Sequence, residues 1–506
     1  MTARVASCPS CGAPVEFRWA GAVQTVCGYC SSILVRHDVE LERVGKVSEP
    51  PPVTSRIQLG TRGRYRDRPF TVVGRIAYTW ERGGWSEWHV VFGDDTSGWL
   101  SDALDEYAVS FLAAAHGPLP PADRVRVGDR LAHGGQTFQV TTLTRARYAG
   151  VEGELPFEYW DREEVLFADL KAERGFATID YSDSDPLLFT GEYVPLRELQ
   201  LTELREPEEK RAAEVRALNC PNCGGAVEIR DPEHTVNVGC ASCGSVLDAR
   251  SPGLTVLQRA NAKQTVKPLI PLGSKGRWKG EEYRVLGFQQ RTIPVEGVDY
   301  SWAEYLLHGP AEGYRYLTEY HGHWNDVIPL RTVPTVTQAA GRPAATLHGQ
   351  TFRHFQRAHA KTSYVLGEFP WEVRVGDQAT VDDYVAPPRL LSREETKDEV
   401  SWSLGEYLAG ARVWEAFQLP GKPPAAQGVF ANQPSPHAGR QREVWGAFAL
   451  LVVLLSVLII GRSMVAPAVP VLRESYVYEP AAAGWTAEGD GDAAAPAGGT
   501  VVVTEP

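Results

Sequence analysis

All eight cysteines of this 506-residue chain fall into two sets of four, and each set consists of two CxxC motifs. The motifs are separated by fifteen residues in the first set and by sixteen in the second, which is typical of a four-thiolate zinc site. Four thiolates complete a tetrahedral coordination sphere, so we expect two structural Zn²⁺ ions and no catalytic metal. The predicted zinc ligands are Cys8, Cys11, Cys27, Cys30, Cys220, Cys223, Cys240 and Cys243.

Two other interpretations of these cysteines fit the sequence less well. A thioredoxin-like redox site needs one CxxC beside a βαβ unit, and structural disulfides belong to exported chains. The first seven residues, Met-Thr-Ala-Arg-Val-Ala-Ser, lack the apolar core of a signal peptide. Short alternating runs between the motifs, such as Val15-Glu-Phe17, predict small strands. Each set therefore predicts a zinc ribbon, a hairpin closed by metal, in a reducing compartment.

The stretches that follow the two cysteine sets are similar to each other. Ile57-Gln-Leu-Gly60 recurs as Ile270-Pro-Leu-Gly273, and Gly153-Glu-Leu-Pro-Phe157 recurs as Gly367-Glu-Phe-Pro-Trp371. The offsets of 213 and 214 are close to the 212 residues that separate Cys8 from Cys220. One unit, a ribbon followed by a larger module, is therefore present twice.

Within each module, short runs rich in Val, Tyr, Phe, Trp and Thr alternate with glycine and charged turns, a pattern typical of antiparallel strands. We therefore predict a mainly β chain, with two repeats of a zinc ribbon plus an antiparallel β-barrel or sandwich-like module. Helical periodicity is sparse before the apolar segment near the end of the chain, and its clearest candidates cover residues 203–218 and 404–417. The predicted domains are zinc ribbon 1 (1–47), β module 1 (57–200), a helical connector (201–218), zinc ribbon 2 (219–252), β module 2 (268–418), a Pro/Ala/Gly linker (419–443), a transmembrane helix (444–461) and an acidic, Ala/Gly-rich disordered tail (462–506).

Residues 444–460 contain no charged side chain, and as a helix they would span about 26 Å, at the short end for a bilayer. A buried helix of a soluble domain is the alternative, but this run is apolar on every face and is flanked by arginines. We therefore predict a single-pass helix in contact with the lipid bilayer through residues 444–461. Arginines are balanced on its two sides, so the orientation rests on the reduced thiols, which favour a cytoplasmic N-terminal body.

The net charge of −12 and the absence of a Lys/Arg cluster are unfavourable for phosphate contacts. Nucleic-acid binding through the ribbons is therefore a minor alternative. No GxSxG elbow, phosphate loop, HExxH motif or dinucleotide fingerprint occurs in the sequence. The sequence thus favours a non-enzymatic protein.

Histidines of the second module are the basis of one enzymatic alternative. His321-Gly-His323 could place two imidazoles on one face of a strand and bind a further metal, as in a metal-assisted hydrolase. The first module does not repeat the group, and isolated histidines are more often surface or core residues. The histidines concerned are His308, His321, His323, His348, His354 and His359.

Glutamates beside aromatic residues recur in the two modules. Glu87 lies in Trp85-Ser-Glu-Trp88, and Glu304 lies in Trp302-Ala-Glu-Tyr305. Such a residue could line a shared ligand groove or act as a buried hydrogen-bond anchor, and we favour the anchor. The acidic run from Asp180 to Asp185 is interpreted as a turn.

These segments resemble the bacterial domain-of-unknown-function family number 4178, over residues 57–200 and 270–415. The resemblance implies a bacterial origin, a ribbon ahead of the module and sometimes a membrane helix, with no assigned activity. We therefore expect a single-pass protein of the bacterial inner (cytoplasmic) membrane that binds or scaffolds a cytosolic or membrane protein partner. The segments that carry the resemblance are residues 60–74, Glu87-Trp88, 153–157 and 191–193, with counterparts at 273–287, Glu304-Tyr305, 367–371 and 405–407.

Overall fold

A computed structural model describes residues 4–37, 40–46, 55–114, 117–158, 164–206, 216–232, 234–250, 253–259, 266–310, 312–339, 341–435 and 440–465. The chain divides into two compact units, Met1–Pro434 and Ser435–Pro506. The first unit contains both cysteine sets and both β modules.

The first ribbon and module are built of antiparallel strands that follow one another along the chain. The ribbon contains β1 (Arg4–Ser7), β2 (Pro14–Phe17), β3 (Gln24–Val26), β4 (Ser32–His37) and β5 (Glu40–Lys46). The module contains β6 (Arg62–Tyr65), β7 (Arg68–Trp80), β8 (Gly83–Phe92), β9 (Ser97–Ala103), β10 (Glu106–Ala113), β11 (Arg130–His133), β12 (Gln136–Leu155), β13 (Glu164–Lys171), β14 (Phe176–Asp180) and β15 (Leu187–Tyr193), then a 3₁₀ turn at Leu196–Leu199.

The second ribbon and module repeat this arrangement and add a helix. The ribbon contains β16 (Arg216–Asn219), β17 (Ala226–Ile229), β18 (Asn237–Gly239), β19 (Val246–Asp248) and β20 (Thr255–Gln258). The module contains β21 (Lys275–Trp278), β22 (Glu281–Val295), β23 (Val298–Gly309), β24 (Gly313–Tyr320), β25 (His323–Pro329), β26 (Thr335–Ala339), β27 (Arg342–Leu347), β28 (Gln350–Phe369), β29 (Gln378–Ala386), β30 (Arg389–Glu395), β31 (Val400–Leu408) and α1 (Gly410–Phe417).

Each module closes into an eight-stranded antiparallel barrel. The strand order is β7-β8-β9-β10-β15-β14-β13-β12 in the first barrel, and pairing of β12 with β7 closes it. The second barrel runs β22-β23-β24-β25-β31-β30-β29-β28, and pairing of β28 with β22 closes it. Closure leaves no free edge within the barrel. The predicted mainly β fold, with its two ribbon-plus-barrel repeats, is confirmed.

Each ribbon extends its barrel sheet and packs over one end of the barrel. β3 pairs with the last residues of β12, and β18 pairs with the last residues of β28. Val246 of the second ribbon packs in one buried cluster with Leu306 and Val365 of the barrel. Ile33 of the first ribbon packs likewise with Ile76 and Leu155. The ribbon therefore contributes apolar side chains to the end of the barrel core.

The outer face of the second barrel is covered by α1. Val413 and Phe417 of this helix share a buried cluster with Phe288, Tyr305 and Trp324. In the first module the short turn Leu196–Leu199 takes the place of a helix. It buries Leu199 in the cluster that contains Trp88. This apolar packing leaves the opposite, inward faces of the strands to line the two lumens.

Helix α1 is shorter than the sequence predicts. The pattern over residues 404–417 predicts one helix, but residues 400–408 form β31, which bonds to both β25 and β30. The helix begins only at Gly410. Barrel closure needs this last strand, and its pairing prevails over local helical preference.

The predicted helical connector over residues 201–218 is wrong at both of its described ends. Residues 201–206 are not helical, and Arg216–Asn219 form β16. This strand pairs with β17, so the hairpin that holds the cysteines determines its conformation. Residues 207–215 lie outside the described residues.

The second unit contains the helix α2 (Gln441–Val465). Its segment Arg442–Arg462 has a mean hydropathy of 2.7, and it is long and apolar enough to cross a membrane. The helix begins three residues inside the predicted linker and continues past the predicted end at residue 461. Of the predicted tail, residues 462–465 are helical and residues 466–506 lie outside the described residues.

Candidate metal centres and barrel lumens

The eight cysteines form two four-sulfur clusters, each with all Sγ atoms within 4.8 Å of one another. Sγ–Sγ distances of 3.8 Å join Cys8 to Cys30 and Cys11 to Cys27. The same 3.8 Å joins Cys220 to Cys243 and Cys223 to Cys240. Four zinc–sulfur bonds of about 2.3 Å in a tetrahedron place the sulfurs about 3.8 Å apart. The sulfur geometry therefore fits a tetrahedral ion of the size of zinc, and the cysteines are not joined as disulfides.

Each CxxC turn ends in a residue with left-handed backbone conformation. Three of these residues are Gly12, Gly224 and Gly244, with φ of 75°, 75° and 72°. The fourth is Ser31, at φ 57°. The turn that ends in Ser31 has a glycine inside its CxxC motif, Gly28, but Gly28 is not in the left-handed conformation. Gly28 therefore does not substitute for the glycine that follows the motif in the other three turns. The fourth turn therefore carries more backbone strain than the other three.

Neighbouring polar groups favour the thiolate form of one cysteine in each cluster. Hydrogen bonding with Ser32 lowers the pKa of Cys30 to about 6. Burial opposes ionisation of Cys243, but hydrogen bonds with Ser245 and Asn222 lower its pKa to about 6. Thiolates are the form that binds metal.

A buried glutamate at the end of each long strand joins the ribbon to the barrel. The Glu154 carboxylate accepts backbone N–H groups of Arg18 and Trp19, at 2.7 and 2.9 Å. The Glu368 carboxylate accepts those of Arg230 and Asp231, both at 2.8 Å. These glutamates belong to the recurring Gly-Glu-Leu/Phe-Pro segments, so the repeated motif has a structural role in placing the metal ribbon.

The glycines before these glutamates allow the backbones to approach closely. A Cβ atom on Gly153 would lie 2.2 Å from the carbonyl oxygen of Val73. One on Gly367 would lie 2.5 Å from that of Leu286. Both glycines also have positive φ, so no other residue fits well there.

The two histidines of the predicted second metal site do not come together. His321 lies in the turn between β24 and β25, with φ 47°, whereas His323 begins β25 and is 1% exposed. The His323 Nε2 donates to the Gln427 carbonyl oxygen at 3.0 Å, and the Tyr407 hydroxyl donates to its Nδ1 at 2.9 Å. Both ring nitrogens are engaged, so the predicted histidine metal site is wrong.

The other second-module histidines are dispersed, and among the described residues only the two cysteine clusters group His, Cys, Asp or Glu closely enough for a metal. His308 bonds to Asp105 of the first module at 2.7 Å. His354 and His359 contact Asp382 and Thr380, and His348 lies in a turn.

Glu87 faces the lumen of the first barrel, where aromatic rings surround it. Trp85 donates to one carboxylate oxygen at 3.0 Å and Ser101 donates to the other at 2.7 Å. Burial raises the pKa of Glu87 to about 7. The Trp85 ring lies 5.8 Å from that of Phe167, on a strand that is not its neighbour, and Tyr78 stacks on Trp85 at 4.9 Å. These contacts fill the first lumen.

Glu304 occupies the same place in the second barrel. Trp302 donates to it at 2.7 Å, as Trp85 does to Glu87, and Gln289 donates to its other oxygen at 2.6 Å. Burial raises the pKa of Glu304. The expected hydrogen-bond anchor is therefore present in both copies.

An ion pair crosses the second lumen. Arg291 on β22 donates through Nη1 to both oxygens of Glu394 on β30, at 2.8 and 2.7 Å. Burial alone would lower the pKa of Arg291, but Glu394 and Glu304 raise it. The guanidinium group therefore stays charged inside the barrel.

The second lumen is open where the first is filled. A cavity of about 2450 Å³ is lined by inward-facing residues such as Arg291, Glu304 and Ser403, and it extends to first-module residues such as Thr142 and Arg145. It therefore continues from the lumen into the groove between the modules. The whole volume exceeds the roughly 300–1,000 Å³ of a small-molecule pocket because it includes this groove, and the lumen is one part of it.

Strand register shows why the two lumens differ. In the first barrel Tyr78 pairs with Trp85 on one side and with Tyr148 on the other. In the second barrel Arg291 has the equivalent place, between Trp302 and Thr362. The neighbouring pair Ile76↔Glu87 corresponds to Gln289↔Glu304. By the same comparison, Phe167 and Phe189 correspond to Val381 and Ser403. Replacement of aromatic rings by smaller side chains leaves space in the second barrel.

Three carboxylates recur at equivalent inward positions. They are Glu87, Asp169 and Asp180 in the first barrel, and Glu304, Asp383 and Glu394 in the second. Burial raises the pKa of Asp169, Asp180 and Asp383. Asp180 is the last residue of β14, and its carboxylate accepts a hydrogen bond from the Ser182 N–H at 2.8 Å, so it begins the turn that the sequence predicts.

Sequence reasoning singled out Glu87 and Glu304, interpreted Asp180 as part of a turn, and missed Asp169, Asp383, Glu394 and Arg291. A signal was present, since an offset of 214 aligns Asp169 with Asp383 and Asp180 with Glu394. Without the strand register, the inward direction of these side chains was not evident.

Comparison with known families gives one match. Residues 58–196 and 271–410 each match a family model described as a domain of unknown function (DUF4178), and together these segments cover more than half of the chain. No curated protein and no solved structure matches the chain.

Proposed function

Because this chain belongs to the DUF4178 family, as two tandem copies of a domain without an assigned function, we propose its function from its own geometry. It is a non-enzymatic, membrane-anchored binding protein, and the lumen of its second barrel holds a small polar ligand. The observation that carries this proposal is the contrast between two equivalent lumens, one filled with aromatic rings and one open with polar walls. Eight-stranded barrels of this size either fill with side chains or hold one small ligand.

The ribbons serve this function by holding two structural zinc ions. Since each ribbon packs over one end of its barrel, the metal stabilises the closed end of the lumen. Metal analysis of the purified full chain should give two zinc ions. Cys11→Ser and Cys223→Ser should each remove one ion, and a chain that contains no zinc in either ribbon would contradict the assignment.

The helix α2 serves as the anchor. We propose that it crosses the bacterial inner membrane once, with the ribbons and barrels in the cytoplasm, where thiols remain reduced. A protein partner there would bind this body and distinguish the ligand-bound second barrel from the ligand-free one. Protease added to intact spheroplasts should leave the barrels uncut, and cleavage of the barrels from outside would contradict this orientation.

Filling the second lumen tests the binding function directly. The variant Val381→Phe with Ser403→Phe places in the second barrel the residues that the first barrel has at these positions, Phe167 and Phe189. Full chain in detergent is incubated with a metabolite extract, and retained small molecules are identified by mass spectrometry. Wild-type protein should retain a molecule that the filled variant loses.

A matched control keeps the result interpretable. Val336→Phe adds a phenylalanine at an exposed position of the second module that is not among the lining residues of the cavity, and it should not alter retention. Equal retention by the wild-type and filled proteins, with both folded by circular dichroism, would overturn the lumen as the binding site.

A further inference from the structure

Charge is unevenly distributed around the second lumen. Three carboxylates face this lumen, and Arg291 is the cation that lies among them. The carboxylates are those of Glu304, Asp383 and Glu394. Arg291 is paired with Glu394 through Nη1. The ion pair accounts for one carboxylate, so two remain.

The two remaining carboxylates are bonded to neutral groups. Glu304 accepts from Trp302 and Gln289. Asp383 accepts from Gln356 at 2.8 Å. Arg291 also interacts with Glu304, so this one cation faces three buried carboxylates, and neutral donors replace only part of their hydration. The raised pKa of both groups has the same cause, since burial is its largest contribution.

Arg291 also has unused hydrogen-bonding capacity. This side chain is only 7% exposed, and its Nε has no hydrogen-bond partner among the described residues. Its two hydrogen bonds to Glu394 both use Nη1, and the residue lines the cavity. An unpaired guanidinium donor in a buried site calls for an acceptor.

Aromatic rings complete the wall. Trp302 and Tyr316 line the same cavity beside Glu304, and the Arg291 guanidinium already lies 5.9 Å from the centre of the Trp302 ring. Aromatic faces attract cations and tolerate the alkyl part of a ligand. An anion, by contrast, would meet three carboxylates at close range.

We propose that the ligand of the second lumen is a small organic amine that also carries a hydrogen-bond acceptor. Its ammonium group binds between Glu304 and Asp383, and its acceptor receives a hydrogen bond from Arg291. This inference rests on the proposed binding function and specifies the ligand class.

Four four-carbon probes separate the charge classes by isothermal titration of the full chain in detergent. They are 4-amino-1-butanol, n-butylammonium, 1-butanol and butyrate. We expect 4-amino-1-butanol to bind most tightly and n-butylammonium to bind less tightly, because n-butylammonium lacks the acceptor. The neutral probe and the anionic probe should bind at least about tenfold more weakly than 4-amino-1-butanol, a difference of about 1.4 kcal/mol. The filled variant Val381→Phe with Ser403→Phe should bind none of them.

Charge-removing variants assign the binding groups. Glu304→Gln and Asp383→Asn keep the side-chain shape and should each weaken 4-amino-1-butanol by about tenfold or more. The matched controls Glu87→Gln and Asp169→Asn make the same changes in the filled first barrel and should leave binding unchanged. Circular dichroism establishes that each variant is folded.

The outcomes separate the two proposals. If butyrate or 1-butanol binds more tightly than both ammonium probes, and the filled variant loses that binding, the amine class is wrong while the binding function stands. If no probe binds the wild-type chain and no metabolite is retained from the extract, both proposals are wrong. Equal weakening by the first-barrel controls would contradict the assignment of the site to the second lumen.

Discussion

At the scale of single residues, backbone conformation explains why the position after each CxxC motif favours glycine. Three turns have glycine in the left-handed conformation, and the fourth has Ser31. Since a side chain in this conformation costs roughly 1 kcal/mol, the CxxC turns of the first ribbon contain a strained residue that those of the second do not.

Substitution of Ser31 by glycine should relieve this strain. The first ribbon should release zinc to a chromophoric chelator about fivefold more slowly, as expected for roughly 1 kcal/mol. The opposite change in the second ribbon, Gly244→Ser, should speed release by a similar factor. An unchanged rate in both variants would show that the backbone conformation of these turns does not limit metal loss.

The raised pKa of Glu87 predicts how stability depends on pH. Its pKa of about 7 in the fold lies above the usual value of 4.5, so the folded protein binds the proton more tightly than the unfolded chain does. Stability should therefore fall as pH rises from about 4.5 to about 7 and should level off above, by no more than about 3 kcal/mol. The Glu87→Gln variant should lose this part of the dependence in thermal unfolding, and an identical pH profile would contradict it.

At the scale of elements, the long strands β12 and β28 connect barrel to ribbon. Each bonds to barrel neighbours along most of its length and to a ribbon strand at its end. Glu154 and Glu368 lie at this transition and accept the ribbon backbone. A ribbon alone buries little apolar surface, so this attachment and the metal together hold its position.

Removing the Glu368 side chain should loosen the second ribbon selectively. Glu368→Ala leaves the N–H groups of Arg230 and Asp231 unpaired, at a cost of about 2–4 kcal/mol. Hydrogen exchange of β17 and β18 should become faster, while β2 and β3 of the first ribbon remain protected.

The reciprocal variant Glu154→Ala is the matched control, since it should affect the first ribbon and spare the second. If either variant accelerated exchange in both ribbons equally, the two attachments would not be independent.

At the scale of the whole molecule, the chain separates into a β body and a unit with one long apolar helix. Contacts between the two modules include His308 with Asp105 and Arg331 with Glu106, at 2.7 and 2.9 Å. The Arg331–Glu106 pair is exposed and contributes about 0–1 kcal/mol, whereas His308 and Asp105 are partly buried. The Leu143 N–H also donates to the Asp398 carbonyl oxygen at 2.8 Å, so a backbone hydrogen bond joins the modules beside the groove that continues the cavity of the second barrel.

A chain that ends at Pro434 tests the role of the helix. Without residues 435–506 the protein should move from the membrane fraction to the soluble fraction on cell lysis, and it should keep both zinc ions. Replacement of Leu454 by Arg in the full chain is the matched point variant and should weaken membrane association, because a charge near the middle of the helix is costly in lipid. Full retention of the shortened chain in membranes would contradict the anchor.

The metal clusters, the duplication, the β class and the apolar helix could be predicted from the sequence alone. Each depends on a property carried by neighbouring residues: the spacing of two CxxC motifs, the recurrence of Gly-Glu segments at a near-constant offset, strand-forming runs, and an uncharged stretch between arginines. Such properties are local, or repeat at fixed intervals, so they do not require knowledge of which strands meet.

The lumens could be identified only in the tertiary structure. Asp169 lies far along the chain from Glu87, as Arg291 does from Glu394, and register shifts within β7 and β22 change which side of the strand faces inward. Whether a lumen is filled depends on the summed volume of side chains from eight strands, as the contrast between Phe167 and Val381 illustrates. The inward direction of a side chain and the filled volume of a lumen both depend on barrel closure, because a lumen exists only once the first and last strands of the barrel have paired.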